Sequence, residues 1–260
     1  MAHSADEPRG ATPPNGLTYA DAAKVLGDGK SREPAEVQER VEDLRAVADR
    51  LRARRLRQGA VELHLAESKI ILDEDDKERI RDVVKGRSSK EMSRAYNLIE
   101  ELMLAANDAV GVMAQQAKLP IVYRCHEAPD EEKIDKLVAA AELFGLELKA
   151  SKLMKPRGMQ KFLGRAKHHE RVDALNNLTL RAMKQADYRV DNAGHFALAS
   201  PAYIHFTSPI RRYPDLIAHR VFKAHLKRKG GKCGPEPVPP MPNQRHSDEL
   251  AVRSSKRERV

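Results

Sequence analysis

Long stretches of helical periodicity, separated by short apolar runs, set the first reading of this chain. From Glu36 to Gln58 apolar side chains recur at Val37, Val41, Leu44, Val47, Leu51 and Leu56. Steps of three to five residues line one helical face, and arginines crowd the opposite face. Gly59 ends that helix. In "AVELHLAE", Val61, Leu63 and Leu65 alternate with polar residues, and "KIIL" follows shortly, so two short strands are expected. A second long helix is predicted from Ser89, its N-cap, to Gln116, with Met92, Ala95, Tyr96, Ile99, Met103 and Ala106 as the buried stripe.

After Pro120, "IVYRC" reads as a strand. "PDEEKIDKLVAAAELFG" reads as a helix, with acids at its start and Gly145 at its end. The Lys-rich stretch "KASKLMKPRGMQKFLGRAKHH" leads into a helix over about 170–185. Pro214 suits the first turn of a helix that runs to about Lys227, and a last charged helix begins near Asp248. Residues 1–16, rich in Pro, Gly and small polar types, are expected to be disordered, and 229–247 to form a flexible loop. The class is α+β, mainly helical, with short strands packed by long helices.

Composition narrows the partners. Charged residues make up 33% and hydrophobic ones 41%, which is polar yet still enough for a core. The formal charge of +9 favours a polyanion, because each neutralised phosphate releases counterions; a basic surface with no partner is the plain alternative. Cys125 and Cys233 form no C-x-x-C pair, which argues against a zinc site and fits a reducing cytosol. The N-terminus has no apolar signal-peptide core, and no apolar run approaches the roughly 20 residues of a membrane helix. A cytoplasmic protein with no membrane partner is expected. The ten histidines show neither H-E-x-x-H nor zinc-finger spacing.

One stretch carries chemistry. "YIHFTSPIRRYPDL", Tyr203 to Leu216, gathers two arginines, two hydroxyl residues and three aromatics in a chain with only 4% aromatic residues. Arg211 and Arg212 are planar charged forks that match phosphate oxygens two at a time. Thr207 and Ser208 add donors, and the following helix offers free backbone N–H groups. Tyr203, His205, Phe206 and Tyr213 are flat faces on which bases could stack. Together they suit single-stranded nucleic acid. In the alternative reading, Phe206 and Tyr213 anchor a core and the arginines pair with acids such as Asp215.

"HFALASPAYIHFTSPIRRYPDLIAHR" at 195–220 resembles the C-terminal part of the catalytic domain of the ribonuclease II / ribonuclease R family. "LTYADAAKVL", "RQGAVEL", "IEELMLAANDAVG", "YRCHEAPDEEKIDKL" and "LRAMKQADY" resemble the same family in the same order, so the likeness runs from about Leu17 to the end. H-F-T-S-P-I-R-R-Y-P-D is its most specific piece. The resemblance implies an RNB-type domain over 17–260 and 3′-to-5′ hydrolysis of single-stranded RNA to nucleoside monophosphates. It also implies divalent metal, Mg²⁺, at the active site.

Carried onto this chain, Arg211 would be the catalytic arginine that stabilises charge building on the phosphate oxygens. Glu100 in "IEELM" would line the RNA path, and Arg212, Tyr213, Tyr203, Thr207 and Ser208 would shape the RNA pocket. His195, in H-F-A-L, is expected to be structural.

The family's metal also needs an aspartate cluster, D-x-x-x-x-x-D-x-D-D, because Mg²⁺ takes carboxylate oxygens that arginine cannot replace. The nearest run, Asp73, Glu74, Asp75 and Asp76, has the wrong spacing and reads as a hairpin turn. The metal ligands, the cold-shock-like barrels and the S1 barrel are therefore expected to lie outside this sequence. That leaves a C-terminal catalytic half which is part of a split enzyme with a second polypeptide, a degenerate homologue, or a fragment of an ordinary ribonuclease. A non-catalytic RNA-binding or regulatory module and a basic helical scaffold are the rival functions.

Overall fold

The computed structural model describes residues 16–27, 31–63, 68–73, 79–85, 89–230 and 243–258. Residues 1–15, most of the segment expected to be disordered, lie outside them, as do Glu74, Asp75, Asp76 and most of the expected loop, 231–242. The chain divides into two compact units, Met1–Ala53 with Leu65–Leu102, and Arg54–His64 with Met103–Val260.

The first unit holds α1 (Tyr19–Val25), most of α2 (Ala35–Gln58), the hairpin β1 (Ser68–Leu72) and β2 (Ile80–Lys85), and the start of α3 (Lys90–Gln116). Thr18 and Asp21 form a capping box that satisfies two backbone donors at the start of α1. Ala23, Val25, Leu26, Val41, Ala48, Ala95 and Leu98 are the buried core. The stripe on α2 is narrower than its periodicity predicts: Leu44 and Val47 are exposed. On α3 Ser89 caps as expected, its hydroxyl accepting from Met92 N at 3.0 Å. The buried line there passes through Ala95 and Leu98, leaving Ile99 exposed. The hairpin is antiparallel, with Ile70 opposite Val83. Its second strand is not predicted from the sequence, whereas of the expected strand at Val61, Leu63 and Leu65, residues 61–63 form none and 64–67 lie outside the described residues.

The second unit holds the rest of α3, β3 (Tyr123–Cys125), α4 (Glu131–Leu143), α5 (Ala150–Leu153), α6 (Pro156–Ala166), α7 (Val172–Ala182), β4 (Asp187–Arg189), α8 (Tyr213–Arg228) and α9 (Gln244–Glu258). The Lys-rich stretch is thus two short helices, α6 opening on Pro156 as a proline at the first turn allows. α9 begins at Gln244, earlier than its charge pattern indicates.

Two cores divide this unit. α4 to α7 enclose Ile134, Leu137, Leu153, Met159, Phe162 and Leu175, each fully buried and each contributing about 1.5–3 kcal/mol. Val61 joins them; its N–H donates to Ala197 O at 2.7 Å, so this segment is tied to a loop rather than to a sheet. The other core gathers Ile121, Cys125, Ile204, Ile217, Val221 and Leu250 around the antiparallel pair β3–β4. Ser255 of α9 closes β4 from the side, its hydroxyl accepting from Tyr188 N at 2.8 Å. No helix among the described residues is long and apolar enough to cross a membrane.

Gly111 sets the approach of α3 to the segment after Ser200. A Cβ there would sit 2.4 Å from Ala202 O, with backbone rather than a flexible side chain as the obstacle. Gly164, inside α6, would meet nothing within 4 Å. Gly111→Ala is expected to cost about 1–3 kcal/mol, as overpacking does, and Gly164→Ala to stabilise by about 0.5–1 kcal/mol through helix propensity. Urea denaturation of the two variants checks both signs; equal behaviour would contradict the packing described.

Candidate nucleic-acid interface

The Tyr203–Leu216 stretch is held from beneath by α3. Asn107, buried in mid-helix, donates from Nδ2 to Tyr203 Oη at 2.9 Å and accepts Phe206 N–H on Oδ1, also at 2.9 Å. One side chain therefore fixes two points of the segment. Ser200 Oγ donates to Asp108 Oδ1 next to it. β3 adds a backbone bond from Arg124 N to Tyr203 O at 2.8 Å. Phe206 stacks on His219 with centroids 4.0 Å apart, and its carbonyl accepts from His219 Nε2 at 2.9 Å.

Asp215, in the first turn of α8, anchors the other end. It is 0% exposed and accepts three hydrogen bonds: Ser208 N at 2.8 Å, Arg212 Nε at 3.0 Å and Arg212 Nη2 at 3.0 Å. The two from Arg212 are the bidentate fork geometry, stronger than a neutral pair. A carboxylate at a helix N-terminus also gains from the helix dipole. The turn closes with Arg211 N and Arg212 N both donating to Ser208 O. Its tip points out: Ile210 is 98% exposed, and Arg211 is exposed, with no side-chain hydrogen bond or ion pair among the described residues.

The predicted site residues therefore part company. Arg211 is the free fork. Arg212 is committed to Asp215, so it shapes the turn rather than offering its charge. Tyr203 is buried, its hydroxyl used by Asn107 and its ring edge-on to His195 and His205, so no base can stack on it. Tyr213 is 50% exposed and keeps an open face. Ser208 contributes its backbone N–H to Asp215. Thr207 Oγ1 is buried with no hydrogen-bond partner among the described residues, which is costly unless a polar group arrives there. Glu100 is exposed on the part of α3 that belongs to the first unit. Asn107 and Asp108 escaped the sequence reading; their signal is a polar pair interrupting the apolar stripe of "LAANDAVG".

A chain of rings lies behind the turn. His126 is 5.1 Å from His195, His195 is 5.3 Å from Tyr203, and Tyr203 is 5.9 Å from His205, centroid to centroid. Leu198 N donates to His195 Nδ1, and Ala197 N donates to His126 Nδ1, whose Nε2 bonds Lys184 O. With Nδ1 accepting, each neutral ring carries its proton on Nε2. Tyr188 Oη bonds His205 Nδ1 at 2.7 Å. Burial, reinforced by His126 and Arg124 in one case and chiefly Arg212 in the other, holds His195 and His205 down to about 3. Burial pushes Tyr188 up to about 12. These rings are neutral packing units, not proton shuttles.

The described residues do not fit a Mg²⁺ site. No group of three His, Cys, Asp or Glu side chains among them could hold a metal ion. Asp73 N donates to Arg79 O at 2.9 Å across the β1–β2 connection, as a hairpin end would.

Two outcomes follow from this geometry. Asp215→Asn keeps an acceptor for Ser208 but strands the Arg212 charge, and is expected to cost about 3 kcal/mol and to open the turn to trypsin at Arg211. Unchanged melting and unchanged tryptic rate would contradict the anchoring role. Unfolded histidine takes up its proton near 6.5, whereas His195 and His205 do so at about 3 in the fold. Their contribution is present above the unfolded value and drains as pH falls toward 3. Urea unfolding at pH 5.0 is expected to show a loss, relative to pH 7.5, of about 2 kcal/mol per histidine; equal stabilities would refute the buried neutral rings.

Residues 12–228 match the RNB domain family. Ribonuclease R of Thermotoga maritima is 42% identical over 185 residues, covering 71% of this chain and 25% of the relative. Ribonuclease R of Escherichia coli is 34% identical over 221 residues, covering 84% and 26%. Among solved structures, Mycoplasma genitalium RNase R in complex with ribose methylated single-stranded RNA superposes with a TM-score of 0.77 at 23% identity, over 92% of this chain and 36% of that one. Yeast Ssd1, a pseudonuclease, superposes with a TM-score of 0.64 at 19% identity, over 93% and 28%. At those identities the likeness is one of fold. The chain spans about a quarter of the length of the curated relatives it matches. With the match covering most of its length, this chain belongs to the RNB domain family.

Proposed function

We propose that this chain is the C-terminal part of an RNB-type catalytic domain, with residues 17–260 belonging to it. In this reading it serves a 3′-to-5′ exoribonuclease that releases nucleoside monophosphates from single-stranded RNA. The observation that carries the reading is the turn of the second unit. Its buried Asp215, paired with Arg212, holds Ser208 and leaves the Arg211 guanidinium exposed and uncommitted among the described residues. A guanidinium so placed donates to two phosphate oxygens and offsets charge gathered there as a phosphodiester is attacked. Tyr213 gives a base a face beside it. Thr207, Ser208 and Arg212 shape the pocket, and Glu100 lines the path of the strand.

Hydrolysis by this family implies Mg²⁺, which the described residues do not fit. In this reading a second polypeptide, or further sequence, carrying the aspartate cluster would supply the carboxylates that hold the ion. The same observation favours one rival: an RNA-binding module without catalysis. The net charge of +9 supports RNA binding in either case. Handling of soluble RNA fits a cytoplasmic setting.

The test is binding of 5′-labelled single-stranded RNA by fluorescence anisotropy across a salt series, with nuclease activity read on the same RNA in Mg²⁺. Affinity is expected to fall steeply with salt, and Arg211→Ala to weaken it at least about five-fold, the loss of one charged hydrogen bond. The pure chain is expected to leave the RNA intact. EDTA-sensitive shortening would overturn the missing-ligand reading, and salt-independent or undetectable binding would favour a basic scaffold over both.

A further inference from the structure

A second feature of the RNA-facing unit lies on the flank of the turn. Tyr213, at the start of α8, and Glu249, Leu250, Arg253, Ser254 and Arg257, along α9, line a half-open pocket of about 360 Å³. That is within the roughly 300–1,000 Å³ of small-molecule sites. Leu250 is buried and forms an apolar floor. Arg253 and Arg257 stand four residues apart, on one helical face, where like charges repel. Both are exposed, and neither has an ion pair or a hydrogen bond from its side chain among the described residues.

The acids that could relieve this repulsion are turned elsewhere. Glu249 pairs with Arg245 at 3.3 Å, and Glu258 pairs with Arg124 of β3. Folding gains nothing from two bare forks a turn apart. An anion between them would remove the repulsion, and two forks suit an anion with three acceptor oxygens. Ser254 adds a hydroxyl between the two arginines in sequence. The half-exposed Tyr213 ring supplies a flat wall, so the ligand that uses every side of the pocket has both a phosphate and a planar ring.

We infer that this pocket binds a nucleoside monophosphate, with Arg253 and Arg257 on the phosphate and Tyr213 against the base. This deepens, and as a substrate or product subsite rests on, the RNA reading above. The phosphate site itself stands on the α9 arginines and not on Arg211.

The experiment is titration of the full chain with adenosine 5′-monophosphate, adenosine and inorganic phosphate by isothermal calorimetry. Circular dichroism confirms the fold of each variant, and Lys161→Ala on α6 is the control for loss of one exposed charge. The monophosphate is expected to bind at least ten-fold more tightly than adenosine or phosphate. The double variant Arg253→Ala/Arg257→Ala is expected to weaken it at least ten-fold, and Tyr213→Ala to weaken it while sparing phosphate. Lys161→Ala is expected to leave it within two-fold. No saturable binding, or binding indifferent to the double variant, would overturn the inference. If RNA binding then still depends on Arg211, the RNA reading survives that failure. Arginine-dependent nucleotide binding beside Arg211-independent RNA binding would instead sink the RNA reading and leave the pocket standing.

Discussion

A carboxylate with no exposed surface, holding one guanidinium by two hydrogen bonds and one backbone N–H by a third, is the constraint on which the Arg211 turn depends. Burying that charge is unfavourable unless all of its partners are in place, and Asp215 has them. The pair does not simply add stability. It decides which of two adjacent, chemically identical side chains is spent on structure and which is left for a ligand. Arg212 is drawn inward, and the backbone turn at Ser208 then directs Arg211 outward. An arginine pair with no nearby acid would leave both forks mobile, and phosphate binding would have to order them first.

Parts of the second unit hold that turn in place. Asn107 joins Tyr203 to Phe206 from a helix that Gly111 allows to come close. The neutral histidines and tyrosines behind it fill the space without adding charge near Arg211. Most of the aromatic surface in the motif is consequently internal. Base stacking, which the composition of the stretch promised four times over, keeps one open ring at Tyr213. The candidate interface is thus more electrostatic than the sequence makes it look.

What the sequence reveals follows from how local each cause is. Helices α2, α3, α4 and α8 are legible because their signals, a periodic apolar stripe, Ser89, Gly145 and Pro214, act within one turn of chain. The hairpin strand at Ile80–Lys85 and the short strand at Asp187–Arg189 are not, since each is fixed by a partner elsewhere. Exposure of Leu44, Val47 and Ile99 likewise depends on what tertiary neighbours cover, which periodicity does not state. At the site, Arg211 stood out from its motif, while the division of labour with Arg212 required the buried Asp215. The α9 arginines carry no motif at all; only the pairing of Glu249 and Glu258 with other partners leaves them unpaired among the described residues.

The measurement that bears most directly on this account is photo-crosslinking of 4-thiouridine-labelled single-stranded RNA to the purified chain, mapped by peptide mass spectrometry. The account predicts crosslinks on the peptide carrying Ile210, Arg211 and Tyr213, lost at raised salt. Crosslinks confined to the arginine-rich face of α2, with that peptide untouched, would contradict it.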